Sequence, residues 1–494
     1  MAEQKQEKKK PISVREILRW ILCGLLGLLL IAAVTIRAPG KIVALLIVLL
    51  LACAALPRRA RKWFGLSTAA AGIVLIIWVF LPDGDADWRP YTFDEELAAL
   101  QAKYAIPDEE NAALIYDKLF ETMDPDPNEP KFFARSAPSS RDELWLSKDH
   151  PETAEWLKSY QDTIDKLIQT TGSDKCQFPI SIDPVTYGDS IKKLSKIRNC
   201  TRLLISTANN DIAEGRIGDA LEKYLCIIKI ADHMYQQPAM MYHLVGYPIE
   251  SLGLQRLNRF VIEGEPTTKQ LQLISESFTD LGNNWSSDWH KMLDFEKLYA
   301  KNHLCSLIHE VNPEGKARLS RGRMAITSGQ FPRKIPPKTY WQRKHAKAGV
   351  ILGWFYFPST PKKVSEFIDN SFKKYYEMAE PDYDWDKQPS ESRPPRRINY
   401  RSMVEMLTTI PGSAYYRVHE IYLRTLSLRR GSRLLVGIRQ YQIEHNAWPA
   451  DLDAIRAAVP AEALIDPVTE KEFTYMNHGE RFSLYGETAN IWPR

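Results

Sequence analysis

Three apolar runs near the start of the chain, Trp20–Ile36, Ile42–Leu56 and Leu66–Leu81, contain no charged residue. They restrict what the chain can fold into more than any other feature. The runs are 17, 15 and 16 residues long. At about 1.5 Å of rise per residue, each apolar core alone is shorter than a hydrocarbon layer of about 30 Å. Arg19, Lys41, Arg58 and Lys62 flank the runs, and such side chains can lay their stems along apolar surroundings while their charges reach water. Three uncharged runs so close together predict membrane-crossing helices rather than the interior helices of a water-soluble core. A cleaved leader would account for the first run alone.

The positive charges predict the orientation. Lys5, Lys8, Lys9, Lys10, Arg15 and Arg19 precede the first run, and Arg58, Arg59, Arg61 and Lys62 separate the second from the third. The turn between the first two runs carries only Arg37 and Lys41. Basic loops stay on the cytoplasmic side, so three crossings place residue 82 onward outside. The chain of 494 residues has a net charge of +4, and the stretch through residue 82 accounts for +9. The remainder is therefore acidic by −5, and the balance gives little reason to invoke nucleic acid.

The expected fold is mainly α, in five parts. They are a cytoplasmic basic tail (1–19), a three-helix membrane anchor (20–82), a helical ectodomain (83–380), a polar linker (381–400) and a C-terminal α+β module (401–494). Asn111–Met123 reads as an amphipathic helix with Ala112, Leu114, Ile115, Leu119 and Phe120 as its apolar residues, ended by the proline-rich Asp124–Pro130. Ile191–Met234 reads as a helical hairpin turning at Gly215 and Gly218, with Ala220 and Tyr224 in the second arm. This segment resembles the second half of a tetratricopeptide unit, without a strict repeat. Its expected role is packing, with a peptide groove as a second reading.

The chemistry-bearing residues are sparse. Asp294 and Glu296 are two apart and would not share a helical face, so they do not form a ready pair of catalytic carboxylates. In His303-Leu304-Cys305-Ser306-Leu307-Ile308-His309, a helix would bring only Cys305 and His309 to one face. A second soft cluster is His233, Met234, Met240, Met241 and His243, interrupted by Pro238; methionines serve equally well as core filler. Neither predicts a metal site, and no cofactor is implied. Cys176, Cys200, Cys226 and Cys305 would permit two disulfides in an oxidising compartment. Cys200 and Cys226 are a poor pair in a regular hairpin, offset by roughly 10 Å.

Lys316–Lys347 holds ten Lys/Arg and no Asp/Glu. Lys316, Arg318, Arg321, Arg323, Arg333, Lys334, Lys338, Arg343 and Lys344, together with Trp448, are the candidate interaction residues. Outside the cytoplasm an acidic partner protein of the envelope or anionic lipid headgroups suits that charge better than nucleic acid. Ala348–Phe357 is too short for a fourth crossing, and Lys362–Met378 reads as a helix on Val364, Phe367, Ile368, Phe372 and Tyr376.

The end of the chain predicts a helix near Met403–Leu407, a break at Pro411-Gly412, and a long helix over Ala414–His445 with Gly431 as a cost or a point of close packing. Asn446 would end that helix and Asp451 would cap a short one. A β-hairpin follows from Phe473–Met476 to Arg481–Tyr485. Arg439-Gln440-Tyr441, His445-Asn446-Ala447-Trp448-Pro449, Leu452, Asp466-Pro467 and Phe473-Thr474-Tyr475 carry a resemblance to the C-terminal module of the major pseudopilins of type II secretion. The whole architecture also resembles uncharacterised bacterial membrane proteins with a helical ectodomain. Two features depart from a pseudopilin: the apolar runs end more than 300 residues before the module, and Met1–Arg19 lacks a prepilin processing motif. The apolar runs and their charge asymmetry predict a multi-pass protein of the bacterial inner membrane, and the expected function is that of an extracytoplasmic scaffold, with the helical domain and the terminal module as contact surfaces. The alternative is a membrane-bound hydrolase of envelope material, although HExxH, GxSxG and GxxxxGK[ST] motifs are all missing from the sequence.

Overall fold

The computed structural model describes residues 88–123, 128–133, 139–182, 184–279, 281, 284–319, 360–380, 383–385, 400–487 and 490–492. A short strand, β1 (Arg89–Pro90), leads into α1 (Asp94–Lys103), α2 (Ala112–Thr122), α3 (Pro151–Ser159) and α4 (Gln161–Thr170). The helices α5 (Pro184–Ala213), α6 (Ile217–Tyr235) and α7 (Met240–Glu263) follow, then α8 (Thr268–Thr279) and α9 (Trp285–Ile308).

The α5–α6 hairpin turns at Gly215, whose φ of +79° suits a residue without a Cβ. Arg216 and Lys223 both pair with the buried Asp211, at 2.8 Å each, and the Tyr224 hydroxyl donates to Asn209 Oδ1 at 2.8 Å. Gly218 lies inside α6 rather than in the turn. Helix α7 then packs along α6 at close range. A Cβ at Gly253 would come within 2.8 Å of Ile228 Cδ1 and 3.1 Å of Ile227 Cγ2, so a larger residue would require these side chains to shift.

Strands β2 (His309–Val311) and β3 (Ala317–Leu319) join β1 in an antiparallel sheet of order β1-β2-β3. Helix α10 (Pro361–Tyr376) packs on α9, burying Val364, Ile368 and Phe372, with Thr360 as its N-cap. The last helix, α11, spans Tyr400–His445 and ends at Asn446 in the left-handed region, φ +54°. Two antiparallel sheets close the chain. One is β4 (Ile465–Asp466) with β5 (Lys471–Glu472); the other is β6 (Thr474–Asn477), β7 (Phe482–Tyr485) and β8 (Asn490–Trp492), in that order. Asp451 caps a single 3-10 turn, Leu452–Ile455, by accepting from the Ala454 amide at 3.2 Å.

Several expectations need correcting. The chain is mainly α, but no helix among the described residues is long and apolar enough to cross a membrane. The three apolar runs lie outside the described residues, as does Ala348–Phe357. The three-transmembrane-helix fold, the lipid-bilayer partner, the multi-pass inner-membrane placement, and with them the membrane-anchored extracytoplasmic scaffold and the membrane-bound hydrolase, have no described membrane-crossing helix beneath them and are withdrawn. Helix α2 buries Ala112, Ala113, Tyr116, Leu119 and Phe120, while Leu114 and Ile115 are exposed at 39% and 40%. The aromatic Tyr116 sets the inward face, because its hydroxyl meets His233 Nδ1 at 3.1 Å. Helix α11 runs through Pro411-Gly412 without the expected break; its packing elsewhere outweighs a local cost of about 3 kcal/mol. Finally, α9 stops at Ile308 and His309 opens β2, so Cys305 and His309 do not share a helical face.

Candidate functional site

Helix α11 is the element on which the described structure converges, and its burial pattern shows why. Tyr415, Val418, Tyr422, Thr425, Arg429, Ser432 and Val436 are all buried. They follow one another at alternating spacings of three and four, the stripe of a helix facing a helical partner. Helix α7 carries the matching stripe His243, Tyr247, Glu250, Leu254, Leu257 and Val261, also buried. A charged residue sits in the middle of each, and the two meet. Arg429 Nε donates to Glu250 Oε1 at 2.6 Å and Arg429 Nη2 donates to Oε2 at 2.8 Å. The Tyr235 hydroxyl from the end of α6 adds a third bond to Oε2, at 2.6 Å.

The next residues of α11 turn the other way. Arg430 Nη1 donates to the Ile465 carbonyl at 2.9 Å, at the start of the C-terminal sheets. Gly431 lies against β8, where a Cβ would come within 2.5 Å of Ile491 Cγ1; the close-packing reading of this glycine is the physical one. Arg433 reaches both sides. Its Nη2 donates to the Phe278 carbonyl at the end of α8, at 2.6 Å, and its Nη1 lies 3.6 Å from Glu462. Within one turn and a half, Arg429-Arg430-Gly431-Ser432-Arg433 thus attaches α11 to the helical body and to the C-terminal module.

The electrostatics are those of an enclosed junction. Burial alone would make the Arg429 guanidinium easier to deprotonate, but the carboxylate beside it outweighs that and holds it above its ordinary value. Tyr235 is raised well above the usual phenol range, first by burial and then by Glu250. Asp288, in the first turn of α9, is 8% exposed, and no described protein group bonds its Oδ2. Burial pushes this carboxyl up to about 7, against the opposing pull of Lys291. Burial likewise brings Lys291 down to about 8, with Asp288 opposing; its ammonium donates to the Gln236 carbonyl just beyond α6. Glu296 accepts from the Met240 amide at the N-terminus of α7, at 3.2 Å. Although part of the residue reaches the surface, desolvation around its carboxyl raises it to about 7. His243 is fully buried and lowered to about 4 by desolvation.

An aromatic cluster closes one side of the junction. The Trp385 ring lies flat on His419 at 3.4 Å, Trp285 approaches His419 at 4.6 Å, and the Trp289 indole donates to the Tyr375 carbonyl at 2.7 Å. These rings hold helices together, while Asp288, Glu296 and Lys291 are the junction groups that can exchange protons near neutrality. A pocket elsewhere, between Phe178, Gln237 and Tyr242, has a cavity volume of about 20 Å³, room for about one water.

The residues singled out from sequence lie elsewhere. Lys316 is exposed at the end of the β2–β3 turn, where its amide donates to Asn312 Oδ1 at 2.7 Å, and the Arg318 backbone lies in register opposite Glu310 in the β2–β3 ladder. Arg321, Arg323, Arg333, Lys334, Lys338, Arg343 and Lys344 lie outside the described residues. Trp448 packs inside the C-terminal module, with its ring 4.7 Å from Phe482 and its indole N–H donating to the Glu480 carbonyl at 3.1 Å. Among the described residues no group of three or more His, Cys, Asp or Glu is arranged to hold a metal ion. Cys176, Cys200, Cys226 and Cys305 are buried free thiols.

Sequence reasoning missed Glu250, Arg429 and Asp288. The signal for the first two was present: a charge on a buried-type stripe requires a partner on another buried stripe. Comparisons of the chain with protein-family models, with curated proteins and with solved structures find no match. The likeness to pseudopilin-bearing membrane proteins is accordingly set aside, since neither a relative nor a described membrane-crossing helix stands behind it.

Proposed function

We propose that this protein is a structural coupler, in which α11 holds the sheets that follow it, β4 to β8, in one fixed orientation on the helical body. The observation that carries the reading is the split of Arg429 and Arg430 between the two sides of one helix. The first is fastened to α7 by two charge-assisted bonds and the second to the entry of the module. Buried bidentate pairs supply direction as well as energy, and a rigid helix transmits orientation over its length. The convergence of polar groups into a closed junction, rather than onto a cleft, fits a mechanical role better than a chemical one.

The test is a distance distribution between probes on the two sides. Spin labels placed through non-natural residues at Lys192 on α5 and Arg481 beside β7, both exposed, should give one narrow distance in the full chain. Arg429→Met should broaden it while leaving the helical circular dichroism in place. A distribution already broad in the wild type would end the coupler reading.

A further inference from the structure

We propose that Asp288 is a proton-operated latch: its neutral carboxyl seats the first turn of α9 in the four-helix junction, and its ionised form loosens that seat. The geometry is specific to this side chain. It is more than nine-tenths buried, and its Oδ2 has no described hydrogen-bond donor. A carboxylate oxygen enclosed without a donor is costly to ionise.

The groups that act on it come from every helix around the junction. On its own helix Lys291 is the opposing cation, and from α6 the buried Asp232 adds like charge. From α7 comes Tyr247, whose hydroxyl also lacks a described partner; from α11 come Arg429 and Tyr422, and the Asn284 backbone amide just before α9 favours the ionised form. Arg429 is already engaged by both oxygens of Glu250, which limits its capacity to receive a second carboxylate. Burial places the protonation change of Asp288 at about 7. Ionisation thus places an enclosed negative charge, with one oxygen lacking a donor, where Asp232 already adds like charge, and the accessible relief is movement of the α9 first turn away from α7 and α11. Trp285 and Trp289 belong to that turn and pack on Tyr422 and Tyr415 at 5.0 and 5.2 Å, so the movement reaches α11 directly. The latch concerns local seating and stands whether or not the module is rigidly held.

Hydrogen exchange of the full chain, corrected for the intrinsic pH effect, tests it. The segments 285–295 and 415–425 should exchange about tenfold faster at about pH 8.5 than at about pH 6. Asp288→Asn should remove this difference, leaving slow exchange at both pH values, while Glu296→Gln should retain it. Lys291→Met removes the opposing cation and should move the transition to higher pH, a directional shift that a general loss of packing would not give. No pH difference in the wild type, an unchanged difference in Asp288→Asn, or abolition by Glu296→Gln instead would overturn the latch.

Discussion

Arg429 and Glu250 form a two-pronged ion pair with side-chain exposures of only 7% and 0%, at 2.6 Å for the closest contact. They are 179 residues apart in sequence, and each occupies the middle of an otherwise largely uncharged helical stripe. Their desolvation cost is offset only while both are present. The pair therefore fixes register between α7 and α11: sliding either helix by a turn would leave both charges buried and alone.

Removing one partner should be severe. Glu250→Gln or Arg429→Met is expected to cost about 3–5 kcal/mol in denaturant unfolding, because the survivor is stranded. Replacing both, as Glu250→Leu with Arg429→Met, should recover much of that loss. Tyr235→Phe should cost about 1 kcal/mol. A double variant as unstable as the sum of the singles would show that the pair is not a coupled unit.

The contact of Gly431 with Ile491 gives a second test. Gly431→Ala places a methyl where Ile491 already sits, and a loss of about 1–3 kcal/mol is expected despite the better helix propensity of alanine. Adding Ile491→Val should restore part of it. Thermal unfolding of the three variants reads the effect, and a stabilising Gly431→Ala would disprove the close contact.

Asp288 should leave a signature in stability against pH. Its folded value is raised to about 7, so the folded state binds this proton more tightly than the unfolded one. Its contribution therefore becomes less favourable as pH rises from the ordinary carboxyl value, near 4, to about 7, and is level above that. Asp288→Asn should gain stability relative to wild type across that window and run parallel to it above. Parallel curves throughout would disprove the raised value.

His243 works in the opposite sense. Burial lowers its folded value to about 4, so its neutral form contributes stability that is lost as pH falls from about 6.5 towards 4. Nuclear magnetic resonance should show this ring neutral at about pH 5.5, with Nε2 carrying the hydrogen that bonds the Gln237 carbonyl at 2.9 Å. A protonated ring at that pH would contradict its burial.

The four described cysteines should be slow to react. Burial raises Cys226 and Cys305 to about 12 and pushes Cys176 and Cys200 higher still, so little thiolate is present at neutral pH. Thiol titration of the native chain should miss all four, and denaturant should release them together.

Local physics made much of the fold readable. The helical period revealed α2, the α5–α6 hairpin, α10 and the long C-terminal helix, and the caps at Asn446 and Asp451 follow from residue chemistry; Asn111 caps α2 rather than opening it. The hairpin of β6 and β7 was legible for the same reason, through the turn residues around Gly479, φ +85°. The inward face of α2 was misjudged because Leu114 and Ile115 are as apolar as the residues that face the core. The membrane reading failed differently: it drew the whole protein's placement from runs outside the described residues, while no described helix spans a bilayer.

The sequence by itself determined where helices form and which positions on them recur every three or four residues, since both depend on neighbours along the chain. Only the tertiary structure decided which stripe meets which. Pairing Glu250 with Arg429, or enclosing Asp288 without a donor, depends on segments distant in sequence being pressed together with water excluded. Burial then gives those charges their energetic weight, and burial belongs to the assembled helices rather than to any one of them.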